Sequence, residues 1–537
     1  MTTSSNLSSK QTFSSIKVID LFAGPGGLGE GFASLDNGES FGISVSAEMN
    51  PVAHETLRLR AFFRILTKKN SKGLSDYYNY CNGLAKSPFT INTSKEWSEA
   101  GEEAQCFTLG TPEDDLKLDR ILDKRIRPDE PCILIGGPPC QAYSIVGRAR
   151  NQANAKYVPE SDKRHFLYRE YLRVLKERQP LAFVMENVKG ILSSKVGGKS
   201  IFRQILQDLV DPNLALADTN PGLKYRIFSL VEPCSFGPGD DVDSIDLHDF
   251  VIRAEEHGIP QTRHRVILFG VALDENGLCP EFDLLPKLTS RVSVSDMLAD
   301  MPKIRSRLTK MKDADDTWGK QVSGHFRDLA SHIDARVSPM FAAEMQMAAR
   351  KTQCSDLVTG AERVLRSKSD GKINDLELDA WCRDNRLDYW LNHDARGHMP
   401  SDLRRYAYAS VFAATYGTSP KGHLQFSLPG LAPAHKNWTT GKFSDRFRVQ
   451  LEHSPATTIT SHISKDGHYF IHYDSAQCRS LTVREAARLQ TFPDNYYFQG
   501  NRTQQYHQVG NAVPPMLASK IARVVFDVVR ERLKTTS

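Results

Sequence analysis

Ile16-Lys17-Val18-Ile19-Asp20-Leu21-Phe22-Ala23-Gly24-Pro25-Gly26-Gly27 is a short apolar run closed by a glycine-rich turn. It reads as a strand, a tight turn and the start of a helix over residues 27–35. A second strand is expected at 42–47, ending at Glu48, and a helix over Pro51–Leu66 with proline at its first position. A carboxylate at the end of the second strand can accept hydrogen bonds from a ribose diol, and a glycine turn lets a ligand approach the backbone. Together they point to a nucleoside-containing cofactor. No Gly-Lys-Ser/Thr follows the turn, which disfavours a nucleoside triphosphate.

The alternation continues beyond this unit. Strands are expected at 132–135, 181–185, 225–231 and 265–271, with helices at 166–178 and 200–210. Such alternation implies a largely parallel sheet with helices on both faces. Residues 67–105 read as a polar, aperiodic surface insertion. From about residue 290 the texture changes. Helices are expected at 340–351, 361–367 and 401–417, and strand-like runs at 447–451 and 469–472. Arg484–Pro493 reads as a helix stopped by its proline, Gln508–Pro515 as a turn, and Pro515–Lys534 as an amphipathic helix.

Composition sets the outer bounds. The 537 residues suit two or three domains, and 40% hydrophobic with 25% charged residues is ordinary for a globular chain. No stretch approaches the ~18 apolar residues of a membrane span. The Ser/Thr-rich start, Met1–Thr12, has neither the apolar core of a signal peptide nor the arginines of a transit peptide. Nine cysteines occur without a C-x-x-C pair, which argues for a reducing compartment and against a disulfide framework or zinc cluster. Net charge is +5, and residues 301–450 hold 24 Lys and Arg against 17 Asp and Glu. A basic module beside a neutral remainder suggests a polyanionic partner. A solvated basic surface would look the same.

Three further segments carry chemistry. Gly136-Gly137-Pro138-Pro139-Cys140-Gln141-Ala142-Tyr143-Ser144 follows a strand, so a rigid loop holds a thiol at the strand's carboxyl end, where open α/β sheets bind ligands. Cys140 is either a nucleophile or a packed thiol. Met185-Glu186-Asn187-Val188 puts a carboxylate at the end of an apolar strand, as a satisfied cap or as an acid; half-burial favours the protonated form that a general acid needs. In Gln261-Thr262-Arg263-His264-Arg265 the two arginines stand at i and i+2 of an extended chain and point the same way, able to hold a phosphate or fix a carboxylate. An exposed basic edge strand is the plain alternative.

Taken in order, the Pro-Pro-Cys-Gln loop, Glu-Asn-Val, Gln-x-Arg-x-Arg and the Gly510-Asn511-Ala512-Val513-Pro514-Pro515 run resemble the motif set of the DNA cytosine-5 methyltransferase family. The resemblance covers residues 16–60, 132–272 and about 447–530. It implies an α/β fold: a Rossmann-like S-adenosylmethionine-dependent methyltransferase sheet with helices on both faces, plus a smaller mixed target-recognition domain. The expected division is 1–285 catalytic, 286–504 target recognition, and 505–537 returning to the catalytic domain. The reaction implied is methyl transfer from S-adenosylmethionine to C5 of a flipped cytosine, leaving S-adenosylhomocysteine, with no metal. By the same resemblance Cys140 attacks C6, Glu186 binds N3 and the exocyclic amine, Arg265 helps hold the base and Arg263 orders the site. Gln141 and Ser144 lie near the substrate. Asp20, Phe22, Gly24, Gly26, Glu48, Leu167, Asn511 and Val513 hold the donor.

Thr457-Thr458-Ile459-Thr460 resembles a short element near the family's base-reading loops, so Thr458 is expected at the substrate. Arg396, Arg404, Arg405, Arg446 and Arg448 are candidates for DNA contact, against the reading of a charged surface. Met49 stands where the family often has Trp, and the adenine-contacting acid is open between Asp114 and Asp115. The implied partners are double-stranded DNA and a separate cognate restriction endonuclease, with no membrane. The implied setting is a monomer in the bacterial cytoplasm, nucleoid-associated when on DNA. A tRNA cytosine-5 methyltransferase shares this catalytic set and usually carries Cys-Phe-Thr in its recognition region. Here Cys106-Phe107-Thr108 precedes the nucleophile loop, so the triplet reads as coincidence. A non-catalytic DNA-binding relative would have lost the nucleophile or the donor turn, and both are present.

Overall fold

The computed structural model describes residues 15–139, 167–196, 198–354, 356–367, 371–434, 438–439 and 445–536. Its first half builds one mixed sheet. Strands β1 (Ile16–Leu21), β2 (Phe41–Glu48), β3 (Ala104–Cys106), β4 (Cys132–Gly136) and β5 (Ala182–Val188) lie parallel in the order 3-2-1-4-5. Beyond β5 the sheet turns antiparallel through β6 (Tyr225–Phe228), β7 (Ser235–Phe236), β8 (Val251–Arg253) and β9 (His264–Ala272). The strand order reverses between β1 and β4, and the crevice at the carboxyl ends of those two strands is where such sheets take ligands.

The strands are buried on both faces, and successive residues feed opposite cores. In β5, Ala182 and Val184 face one cluster while Phe183 and Met185 face the other. On the first face lie α1 (Gly27–Ser34) and α13 (Pro515–Thr536); on the second lie α5 (Pro112–Arg125), α6 (Tyr168–Arg178) and α7 (Ile201–Val210). Three glycines in eight residues make α1 a poor helix by propensity. The packing requires them. A Cβ on Gly27 would sit 2.3 Å from the Val513 carbonyl, and one on Gly31 2.3 Å from the Ala518 Cβ.

A second lobe has a core of its own. Helices α8 (Asp315–Ser331), α9 (Pro339–Gln353) and α10 (Pro400–Tyr416) enclose Trp318, Phe326, Phe341, Met345, Leu403 and Tyr406. A hairpin, β10 (Gly360–Leu365) against β11 (Tyr389–Asp394), packs on the cores of the first half through Trp390 and Leu391 and covers the stretch expected as a helix at 361–367. Ala, Glu, Arg and Leu favour a helix there, but the cross-strand partner overrides local preference. The runs expected as strands at 447–451 and 469–472 reduce to isolated bridges, Val449 with Ile471 and Ile471 with Ser480.

Residues 67–105 are the main correction. They continue α2 (Pro51–Lys69) into α3 (Leu74–Cys81) and α4 (Ser94–Glu103). Leu74, Tyr77, Tyr78 and Cys81 stand at i, i+3, i+4 and i+7 and pack with Phe62, Leu66, Leu387, Leu391 and Tyr497. The stripe is regular once tyrosine is counted as apolar. The supposed turn at 508–515 is also partly helical: α12 (Arg502–Asn511) runs up to Ala512, and α13 starts at Pro515.

Glycine-to-alanine exchanges separate packing from propensity. Gly31→Ala gains up to ~1 kcal/mol of helix propensity but overpacks α13, costing ~1–3 kcal/mol, so urea unfolding should show a net loss. At Gly324, inside α8, no atom lies within 4 Å of the added Cβ, and Gly324→Ala should stabilise by up to ~1 kcal/mol.

Candidate active site

The carboxyl edge of the sheet gathers the chemistry. After β1 the backbone passes through left-handed conformations at Phe22 (φ 57°), Gly24 (φ 59°) and Gly26 (φ 97°). The two glycines adopt this conformation freely, and the strain falls on Phe22. No atom lies within 4 Å of where a Cβ on Gly24 would point, so the turn opens onto free space. Glu48 closes one side. Its Oε2 accepts from the Gly24 amide at 2.8 Å and its Oε1 from the Asn50 amide at 2.7 Å. Each oxygen keeps a lone pair for a ligand hydroxyl. Burial raises the Glu48 carboxyl above its ordinary value, against the pull of these amides. Asn50 had no assigned role, although Asn before Pro51 is a helix-start signature: its side chain caps α2 through Val52 and Ala53.

Asp20 lies beneath this turn, 1% exposed, on the face that α1 covers. A Cβ on Gly29 would sit 2.6 Å from its Oδ2. Burial, only partly offset by Arg64, pushes the Asp20 carboxyl up to about 8, so it is protonated at neutral pH. Around the crevice, Asn511 is exposed and Val513 buried at the end of α12, with the Val513 carbonyl against Gly27. Leu167 approaches Gly110 in the loop after β3. Asp114 and Asp115 accept from the amides of Thr108 and Gly110, at 2.9 and 3.0 Å, and so brace that loop. Met49 is 58% exposed. The Cys106 sulfur lies 3.9 Å from the Met49 carbonyl oxygen.

Glu186 and Arg265 meet across two strands. The register pairs Arg265 with Val188 and Ile267 with Glu186, so the two charged residues are diagonal neighbours on one face. Arg265 Nε lies 2.9 Å from Glu186 Oε1. Because β9 is antiparallel, its first residues arrive at the edge where β5 ends. Gly137 packs on the same carboxylate; a Cβ there would sit 3.1 Å from Glu186 Oε2. Cys140, Gln141 and Ser144 lie outside the described residues.

Arg263 and Gln261 are bonded into the interior of the protein. Arg263 is 1% exposed and donates to the carbonyls of Ile459 (2.8 Å) and Gly510 (3.4 Å). Burial, and after it the Arg265 charge, pulls its guanidinium well below the usual arginine range. Gln261 accepts from the Ile459 amide at 2.6 Å and donates to Gln490 at 2.9 Å. Thr458 donates to the Thr262 carbonyl at 2.6 Å, beside the two-residue parallel pairing of Gln261–Thr262 with Ala456–Thr457.

The other arginines are mostly structural. Arg405 is buried, pairs with Asp402 at 2.9 Å and donates to Leu431 and Ala432, so it braces the second lobe and does not project from it. Arg404 pairs with Asp328 at 2.5 Å and donates to the Pro429 carbonyl. Buried Arg396 donates to the carbonyls of Ile463 and Ser464. Arg446 and Arg448 stay about one-third exposed, paired with Asp466 and Asp445. Among the described residues no cluster of His, Cys, Asp and Glu could hold a metal ion, and no helix is long and apolar enough to cross a membrane.

The sequence profile of the C-5 cytosine-specific DNA methylase family matches residues 81–213 and 246–527. Type II methyltransferase M.Bpa9945I of Bacillus paralicheniformis is 34% identical over 529 residues, covering 95% of this chain and 99% of its own. Type II methyltransferase M.AgeI of Thalassovita gelatinovora is 25% identical, with 95% and 99% covered. The fold is shared with the crystal structure of a candidate DNA modification methyltransferase encoded within an E. coli prophage (TM-score 0.50, 20% identity, 96% of this chain and 100% of that one).

Asp20 gives a pH test. The unfolded carboxyl titrates near 3.8 and the folded one near 8, so its stabilising contribution is complete below 3.8 and is lost as pH rises through 8. Asp20→Asn lacks that slope. Relative to wild type, its stability in urea should improve with pH between 5 and 8, by up to about 1.4 kcal/mol per pH unit. A constant difference would mean that Asp20 is ionised in the folded protein.

Proposed function

The chain belongs to the C-5 cytosine-specific DNA methylase family, and from that premise we propose that it methylates C5 of a cytosine flipped out of a specific duplex DNA sequence, through a covalent bond between Cys140 and C6. As a member it is a DNA cytosine-5 methyltransferase dependent on S-adenosylmethionine. One observation carries the finer reading: the open glycine turn with Glu48, the loop that leads to Cys140 and the Glu186–Arg265 pair converge on one sheet edge.

The donor-site residues fit a nucleoside sulfonium. Glu48 has lone pairs for the ribose hydroxyls and the turn at Phe22, Gly24 and Gly26 leaves room for close approach, and we assign Asp20, Leu167, Asn511 and Val513 to the same site. Bound there, S-adenosylmethionine supplies a methyl group activated by its sulfonium. Cys140 adds as thiolate to C6, which makes C5 an enamine-like nucleophile; loss of the C5 proton and of the thiolate then restores the aromatic ring. Glu186 hydrogen-bonds N3 and the exocyclic amine, and Arg265 fixes its orientation. Arg263 acts through the packing it holds. Gln141, Ser144 and Thr458 belong to the base side of the site.

Extruding the base costs a few kcal/mol, which phosphate contacts offset. We assign those contacts to the lobe over 286–504, flanked by a catalytic domain over 1–285 and a returning segment over 505–537; the core around Trp318 and Tyr406 supports a separate lobe in the middle of that range. There Arg446 and Arg448 keep more exposure than Arg404 and Arg405. The type II names of M.Bpa9945I and M.AgeI support a modification role beside a separate restriction endonuclease, in a bacterial cytoplasm.

Cys140→Ser should lower methyl transfer to duplex DNA by ~1000-fold or more while S-adenosylhomocysteine still binds in calorimetry. Full activity in that variant would remove the covalent route. Glu186→Gln should cost ~100-fold in kcat. Bisulfite sequencing of host DNA after expression should show one methylated sequence context; label entering tRNA alone would overturn the DNA assignment.

A further inference from the structure

The segment after Arg484–Pro493 reaches the donor turn. Tyr496 is fully buried, and its hydroxyl donates to the carbonyl of Pro25, in the middle of the turn. A Cβ on Gly26 would sit 3.0 Å from the same hydroxyl oxygen. Proline has no amide hydrogen, so its carbonyl is the only backbone group of Pro25 that can be tied down. The turn needs such ties, because Phe22 holds a positive φ and the glycines beside it leave the backbone free to adopt other shapes. The flanking ties are the Ala23 amide to the Ala47 carbonyl (3.0 Å), Gly24 to Glu48 (2.8 Å) and Gly26 back to Ala23 (2.9 Å).

Tyr496 is itself held at both ends. Its ring lies between Arg60 (4.9 Å to the centroid), Phe492 (4.8 Å) and Phe498 (5.4 Å). Its amide donates to the Pro493 carbonyl at 2.9 Å, and its carbonyl accepts from Arg484 at 2.5 Å. Arg484 is buried and also donates to Leu391 in β11, at 2.8 Å. Bonds therefore run without a break from the β10–β11 hairpin, through Arg484 and Tyr496, to the donor turn.

We propose that Tyr496 is a positioning residue for the methyl donor: its hydroxyl fixes the Pro25 carbonyl and so sets the shape of the Phe22–Gly26 turn. This rests on the reading of that turn as the S-adenosylmethionine site. The neighbour Tyr497 is the internal control, since its hydroxyl goes to Glu362 and not to the turn.

The test is calorimetric titration of the full chain with S-adenosylhomocysteine. Tyr496→Phe keeps the ring and loses the hydroxyl, and its Kd should rise about tenfold, the worth of one buried hydrogen bond. Tyr497→Phe should bind as wild type. In turnover on duplex DNA, Tyr496→Phe should raise KM for the donor by the same factor and leave KM for DNA at the wild-type value. Incorporation of 4-aminophenylalanine at position 496, which restores a donor, should recover affinity. Equal weakening in both phenylalanine variants, or wild-type affinity in Tyr496→Phe, overturns the proposal. Absence of binding to the wild-type chain overturns the donor-site reading itself, and the proposal falls with it.

Discussion

The site is held together by a buried joint between the sheet and the chain's last quarter. Arg263 has no ion-pair partner among the described residues and places its guanidinium donors on the carbonyls of Ile459 and Gly510. Gln261, two residues earlier, is fully buried and joins the Ile459 amide to Gln490. A buried charge satisfied by backbone carbonyls tolerates little displacement, because each lost bond leaves a desolvated polar group costing ~1–3 kcal/mol. The joint therefore fixes the strand that carries Arg265 relative to the segment that carries Thr458 and to the end of α12. Arg265 and Arg263 are close in sequence and differ in partner, since one pairs with Glu186 and the other with backbone carbonyls of the scaffold.

The same logic explains the Arg484–Pro493 run, which chemistry alone left without a role. Arg484 donates to Leu391, Pro493 and Tyr496, and Arg488 bridges Asp300 and Asp494. Glu485 completes the capping box of α11 (Val483–Leu489) and also pairs with Arg479, whose guanidinium holds its carboxyl well below the usual carboxylate range against the cost of burial. These are fasteners between segments far apart in the sequence. Their charges sit where water does not, so their geometry is specified by bonds and not by shape alone.

What could be read from the sequence follows the range of the forces involved. The β1 turn, Glu48 at the end of β2, and Glu186 at the end of β5 all depend on local patterns, an apolar run closed by glycine or by a carboxylate, and the structure has them at one edge. The antiparallel return of β9, which brings Arg265 to Glu186, depends on pairing between distant segments. The helix over 74–81 is hard to see in the sequence because Tyr77 and Tyr78, whose rings pack as apolar groups, carry half of its buried stripe. Arg405 illustrates the converse: charge in a sequence says nothing of whether a guanidinium meets solvent or a neighbouring carbonyl, and here it meets the carbonyls of Leu431 and Ala432.

Helix α1 follows the first strand, yet the surface that Gly27 and Gly31 press against is made by Val513 and Ala518. During synthesis at ~5–20 residues per second, that surface emerges on the order of tens of seconds after the helix it must cover. Throughout that interval α1 lacks the surface that Gly27 and Gly31 pack against. The packing of α1 is completed only once residues 513–518 are available to meet Gly27 and Gly31.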